Sequence, residues 1–189
     1  MSSRKTVADL LRDLVAAAEE HGLRWFVFGA QAAILWGSAR STNDVDITVI
    51  EPHDMDKFAK TLRKHGFDLK FSDREFMAKS RVFPFNHRST GIKLDVVIGG
   101  PWLETEFVDR AVEFDFEGVR VPVITPEDLI IMKTLAGRPH DVQDIRAVIA
   151  RQRSSLDVAR IREILGILEQ ALARADLLPL FEREWNRHS

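Results

Sequence analysis

Two aspartates separated by one residue, Asp44 and Asp46, lie in the run Asp44-Val45-Asp46-Ile47-Thr48-Val49, with thirteen residues between it and the pair Gly29-Ala30. Side chains alternate along a strand, so Asp44, Asp46 and Thr48 share one face and Val45, Ile47 and Val49 take the opposite, buried one. Two carboxylates side by side repel each other. Unless they are well solvated, either one takes a raised pKa or a hard cation such as Mg²⁺ lies between them.

A third acid, Asp95, begins another apolar strand run, Val96-Val97-Ile98. Three acids converging on one sheet face suit two divalent ions about 3.5–4 Å apart, the spacing that stabilises both the attacking and the leaving oxygen of a phosphoryl transfer. Mg²⁺, or Mn²⁺, fits best, because every candidate ligand is a carboxylate oxygen and the six histidines (21, 53, 65, 87, 140, 188) show no paired metal spacing. The plain alternative is a strand end with solvated charges. An internal control, Asp54-Met55-Asp56, has the same spacing but falls where a helix is predicted, and there the two side chains diverge.

The elements that position these residues follow from periodicity. Apolar residues at helical spacing predict a helix over 4–21 that Gly22 stops. Residues 25–28 read as a buried strand and 31–36 as a helix opening behind Gly29, a strand-glycine-helix turn of the kind that presents amides to phosphate. Strands are predicted over 45–50, ended by Pro52, and near 67–71, 80–86 and 91–98, with a helix over 54–65 between the first two. Residues 112–123 read as a hairpin turning at Glu117-Gly118. From Thr125-Pro126-Glu127-Asp128, a helix start with Thr as N-cap, helices are predicted over 126–136, 140–152, 157–174 and 176–186. The expected architecture is α/β (α+β): a mixed sheet flanked by helices over residues 1–124, with a helical C-terminal part, 125–189, packed on it.

Composition narrows the class. The chain has 189 residues, 45% of them hydrophobic, enough to bury a core. Cysteine is absent, which excludes disulfides, thiolate zinc sites and a cysteine nucleophile. No apolar stretch predicts a signal peptide or membrane span, so the expected location is the cytoplasm. Net charge is −2, so no global attraction to polyanions follows. Lys70, Arg74, Lys79, Arg81, Arg88 and Lys93 nevertheless crowd one segment against only Asp73 and Glu75, as a face toward a polyanion or a sheet edge kept positive against edge pairing.

Gly29-Ala30, the thirteen-residue gap, Asp44-Val45-Asp46-Ile47 and the later Asp95 together resemble the signature of the nucleotidyltransferase superfamily, whose fold is that of DNA polymerase beta. Arg40 to Asp46, Pro126 to Lys133 and Gly137-Arg138-Pro139-His140-Asp141 resemble small bacterial members, including the AbiEii-type toxin-associated group. The resemblance covers residues 25–150. It implies that Asp44, Asp46 and Asp95 are catalytic metal ligands, with Asp95 also helping to deprotonate the attacking hydroxyl. Gly29 and Ala30 would offer amides to the outer phosphates, although Ala30 stands where Gly or Ser is usual. Arg40 and Lys133 are candidates to neutralise the triphosphate, while Arg138, Asp141 and Asp144 are expected to pair at the helix junction. Trp102 is a further candidate ligand contact.

The expected function is Mg²⁺-dependent transfer of a nucleoside monophosphate from a nucleoside triphosphate, ATP for example, to an acceptor hydroxyl with release of pyrophosphate. The acceptor stays open among RNA, protein and small molecules, and a cognate partner protein is an open expectation. The rivals are a non-catalytic nucleotide-binding or toxin–antitoxin module and an antibiotic nucleotidyltransferase.

Overall fold

The computed structural model describes residues 6–50, 54–70 and 73–187, with the backbone alone at 74, 76 and 78. Pro52, residues 4 and 5 of the first predicted helix, Phe71, and the histidines at 53 and 188 lie outside the described residues.

Helix α1, Val7–His21, places Leu10, Leu11, Leu14, Ala17 and Ala18 on one buried stripe. At its start Asp9 Oδ2 accepts from the Thr6 amide at 2.9 Å, and Gly22 ends it in the left-handed conformation at φ 66°. Strand β1, Arg24–Phe28, runs straight into the short helix α2, Gly29–Leu35. β2 is Asp44–Ile50 and α3 is Met55–Lys64, whose N-cap Asp54 accepts from the Lys57 amide at 3.0 Å. Asp54 therefore caps the start of α3 rather than forming its first residue, while Asp56 lies in its first turn. Then come β3 (Phe67–Leu69), α4 (Arg74–Ser80), β4 (Val82–His87), β5 (Lys93–Gly99), α5 (Leu103–Arg110), β6 (Val112–Phe116) and β7 (Val119–Val123).

Two elements were not anticipated from sequence. α4 occupies the stretch ahead of β4, so that strand opens at Val82 rather than at residue 80. α5 follows Gly99-Gly100-Pro101 and buries Leu103 and Phe107, an i, i+4 pair, with acids in the first turn.

The strands form one mixed sheet in the order β3-β4-β5-β2-β1-β7-β6. β2 runs parallel to β5 and antiparallel to β1, and β1 runs parallel to β7. Val45, Ile47 and Val49 are buried on one face of β2 as the alternation demands. α1 packs on α3 and β7, while α5 packs on β1 and β2.

The chain divides into two compact units. One holds the residues through Gln31 and Thr42–Ile124, hence the whole sheet; the other holds Ala32–Ser41 with the chain from Thr125 on. In the latter, α6 (Pro126–Ala136), α7 (Pro139–Gln152), α8 (Val158–Leu172) and α9 (Leu177–Asn186) enclose Leu129, Ile130, Ile145, Val148, Ile149, Leu165 and Phe181. Thr125 caps α6 by accepting from the Asp128 amide at 3.2 Å. Among the described residues, no helix is long and apolar enough to cross a membrane.

Candidate active site

Parallel pairing of β2 with β5 sets Asp44 beside Lys93 and Asp46 beside Asp95. Residues level with each other on adjacent strands project to the same face, so all four side chains share one surface. The next pair along, Thr48 and Val97, continues that face. Its wetness is graded: the Asp44 side chain is 48% exposed, whereas Thr48 is fully buried. α5 closes the dry end, since a Cβ on Gly99 would lie 2.9 Å from Glu104 Cβ and 3.0 Å from Thr48 Cγ2. The acidic face is thus open at Asp44 and shut beyond Asp46.

Gly29 meets this face from β1, whose antiparallel register puts Phe28 level with Asp46. Its φ is +67°, and a Cβ there would lie 2.1 Å from Asp46 Oδ2 and 3.0 Å from Asp46 Cβ. Only glycine fits against that carboxylate. Ala30 keeps a negative φ and is buried, so its methyl group strains nothing in the turn. Gln31 ties α2 to β2 by donating to the Asp44 carbonyl at 3.4 Å.

Charge on the face is mixed. Lys93 Nζ lies 3.9 Å from Asp44 Oδ1. Burial pushes the Asp95 carboxyl above the ordinary aspartate range and the neighbouring Asp44 raises it further, while Lys93 and Lys70 pull in the opposite direction. Asp44, Asp95, Lys70, Lys93, Val82, Pro84 and Phe85 line one cavity. Asp44 and Lys93 also border a second, lined by Thr6, Val7, Asn43, Thr90, Gly91 and Ile92.

The donor set fits a hard divalent cation: carboxylate oxygens from two adjacent strands, with Asp46 and Asp95 laterally aligned. In the rotamers present the carboxyls are spread along the face, and Asp44 is turned to Lys93. Among the described residues, no three acidic, histidine or cysteine side chains are drawn together enough to hold an ion.

Arg40 and Lys133 belong to the second unit, and each has carboxylate partners there. Lys133, expected to need no burial, is only 7% exposed, with its ammonium 2.7 Å from Asp144 Oδ2 and 3.2 Å from Asp141 Oδ1. Arg40 Nη1 lies 3.1 Å from Asp144 Oδ2, and Ser38 Oγ donates to Asp144 Oδ1 at 2.8 Å. Arg138 holds Asp141 at 2.6 Å. Burial works against the Asp141 charge, but hydrogen bonds from Arg138 and Lys133 win, so its carboxyl lies below the ordinary range. Arg138, Asp141 and Asp144 are ion-paired at the α6–α7 junction, as expected. Trp102 is half-exposed at the start of α5.

Lys93 and Lys70 were not singled out as site residues in the sequence. Lys93 could have been, since it stands two residues before Asp95 and alternation alone places both on one face. Lys70 was marked only as part of the basic run over 70–93; it reaches the cavity because its amide pairs with the Pro84 carbonyl at 2.9 Å beside β4.

Residues 6–166 match the family model described as nucleotidyltransferase of unknown function (DUF6036). No curated protein matches the chain. Among solved structures it is similar to the antibiotic-resistance factor ANT(2'')-Ia, at 14% identity over 88% of this chain and 94% of that one, with a TM-score of 0.58. The lincosamide antibiotic adenylyltransferase LnuA is similar at 14% identity over 77% and 98% of the two chains, with a TM-score of 0.54. An antigenic nucleotidyltransferase-like protein from Paracoccidioides brasiliensis shares 17% identity over 92% and 91%, with a TM-score of 0.56. At such identities the likeness is one of fold.

Proposed function

We propose, from the premise that the chain belongs to the DUF6036 nucleotidyltransferase family, that it transfers a nucleoside monophosphate from a nucleoside triphosphate to an acceptor hydroxyl. The observation that carries this reading is the register that places Asp46 beside Asp95, with Asp44 on the same face and Gly29 pressed against Asp46. Asp44, Asp46 and Asp95 are the residues that would hold Mg²⁺ or Mn²⁺, which when bound neutralises phosphoryl charge and polarises the reacting oxygens.

The acceptor oxygen attacks the α-phosphorus, the new P–O bond forms, and the bond to the β-phosphate oxygen breaks to release pyrophosphate. Asp95 takes the hydroxyl proton, its carboxylate standing on the same face as Asp46 and bordering the open cavity. The Gly29 and Ala30 amides, at the turn into α2, are assigned to the outer phosphates. For Arg40 and Lys133 the phosphate role rests on the sequence resemblance alone, and Lys133 acts on Arg40 through the shared Asp144.

The test is incubation with a panel of labelled triphosphates and Mg²⁺ or Mn²⁺. Wild type is expected to release pyrophosphate, and Asp46→Asn to lose at least about a hundredfold. If wild type labels neither itself, RNA nor small acceptors, and Asp46→Asn binds nucleotide like wild type, the enzyme reading fails and a nucleotide-binding module takes its place. Antibiotic modification is a second reading, favoured by the fold shared with ANT(2'')-Ia and LnuA.

A further inference from the structure

We propose that the acceptor carries a phosphate group close to its reacting hydroxyl, and that Lys70 and Lys93 bind that phosphate in the cavity beside Asp44 and Asp95. The inference rests on the transferase reading above and deepens it. With the two aspartates engaged by a cation, the charged groups left among the described residues that line that cavity are both lysines, and Val82 and Pro84, level with Val97 and Asp95, supply an apolar floor. Ammonium groups over an apolar floor suit a phosphate joined to a sugar or base.

Among the described residues, the two cavities at this face offer a polycationic acceptor no carboxylate beyond Asp44 and Asp95. Apart from Asp44, the adjoining cavity is lined by neutral residues, Thr6, Val7, Asn43, Thr90, Gly91 and Ile92, together with Lys93 itself. The nearby carboxylate on β3, Asp68, is already held by Arg88 at 2.7 Å.

Both lysines are available. Lys93 is 51% exposed and meets Asp44 only at 3.9 Å, a loose pair in a solvated position and easily exchanged for phosphate. Lys70 is exposed at the end of β3, held to the sheet by its backbone, with its side chain in the cavity. Level pairing in the sheet sets Lys93 beside Asn86 of β4 and Asp95 beside Pro84, so the phosphate site and the proposed base lie one residue pair apart on the same face. A phosphate there holds its own molecule's hydroxyl within reach of Asp95.

The experiment measures binding and turnover separately. A fluorescent single-stranded RNA with a free 3′ hydroxyl is titrated by anisotropy into wild type, Lys70→Gln, Lys93→Gln and the double variant over a range of salt. A nucleoside 5′-monophosphate, a sugar phosphate and an aminoglycoside serve as competitors. The double variant is expected to bind the RNA at least about tenfold more weakly, with the slope of log K against log salt reduced by roughly 1.4, the value for two lost phosphate contacts on a single strand. Binding of the monophosphate or the sugar phosphate measured directly by calorimetry, weakened in the double variant and with no RNA binding, would keep the phosphate site and identify a small acceptor.

Lysine substitutions that weaken triphosphate binding but leave RNA and monophosphate untouched would overturn the assignment, since the lysines would then serve the donor. Equal phosphate binding by wild type and double variant, or tighter capture of the aminoglycoside, would overturn it as well. Absence of pyrophosphate release would sink the transferase reading instead, and leaves these binding measurements interpretable. The circular dichroism spectra and melting points of the lysine variants, both at exposed positions, are expected to match wild type.

Discussion

Gly29→Ala isolates the contact between the glycine turn and the acidic face. At φ +67° an alanine is strained by about 1–2 kcal/mol. Gly22→Ala meets the same strain at φ +66° with nothing within 4 Å of the added methyl, and Gly22 lies outside the site. Gly22→Ala should therefore lower the melting point by about 2–4 °C per kcal/mol and leave activity alone. At Gly29 the methyl would also sit 2.1 Å from Asp46 Oδ2, more than an ångström inside an ordinary contact. The Asp46 carboxylate must swing away or the turn must back off. Catalytic groups tolerate about 0.5 Å of misplacement, and an error of about 1 Å costs on the order of a hundredfold. Pyrophosphate release and thermal unfolding, measured on both variants, separate strain from displacement. Activity of Gly29→Ala within a few fold of Gly22→Ala would refute the claim that Gly29 is there to seat Asp46.

Lys133→Met leaves Asp141 and Asp144 buried without their shared ammonium, and should destabilise by about 3–5 kcal/mol, read as a fall in melting point on the order of 10 °C. Asp95→Asn should raise the melting point at neutral pH in the presence of a chelator: with a folded pKa above the unfolded one, ionised Asp95 weakens the fold as pH rises through that range, and the gain should vanish in acid. Glu184, fully buried and held by Arg146, Arg183 and Arg187, has its carboxyl pushed from an ordinary 4.5 to about 2, chiefly by Arg146. Its contribution is complete above pH 4.5 and disappears as pH falls toward about 2. Glu184→Gln should accordingly cost about 1–3 kcal/mol at pH 7, the arginines being free to hydrate, and almost nothing at the acid end, by denaturant unfolding across that range.

Local rules made much of this molecule legible before any coordinates. The stripe of α1, its stop at Gly22, the hairpin turning at Glu117-Gly118 and the Thr125 cap of α6 all depend on residues within one turn of each other, and the structure shows each. α4 was not legible, because a seven-residue helix shows too little periodicity to stand out from the strands around it. α5 carried its signal in Leu103 and Phe107 and was overlooked behind the Gly-Gly-Pro break.

At the site the division is sharper. Alternation along one strand places Asp44 and Asp46 on a common face whatever the rest of the chain does, because the period of two is a property of the extended backbone. The pairing of Asp46 with Asp95, and of Asp44 with Lys93, joins residues 49 apart, and only the packing of the whole sheet chooses that register among its alternatives. The burial of Lys133 between two carboxylates was equally out of reach: an amphipathic count shows which face of α6 is apolar, not which charge α7 will bring against it. Sequence alone therefore determined the carboxylate pair, the glycine turn and the family they resemble. Tertiary structure decided why the turn must be glycine and which lysines stand beside the acids, since both depend on distances between strands that the chain order does not contain.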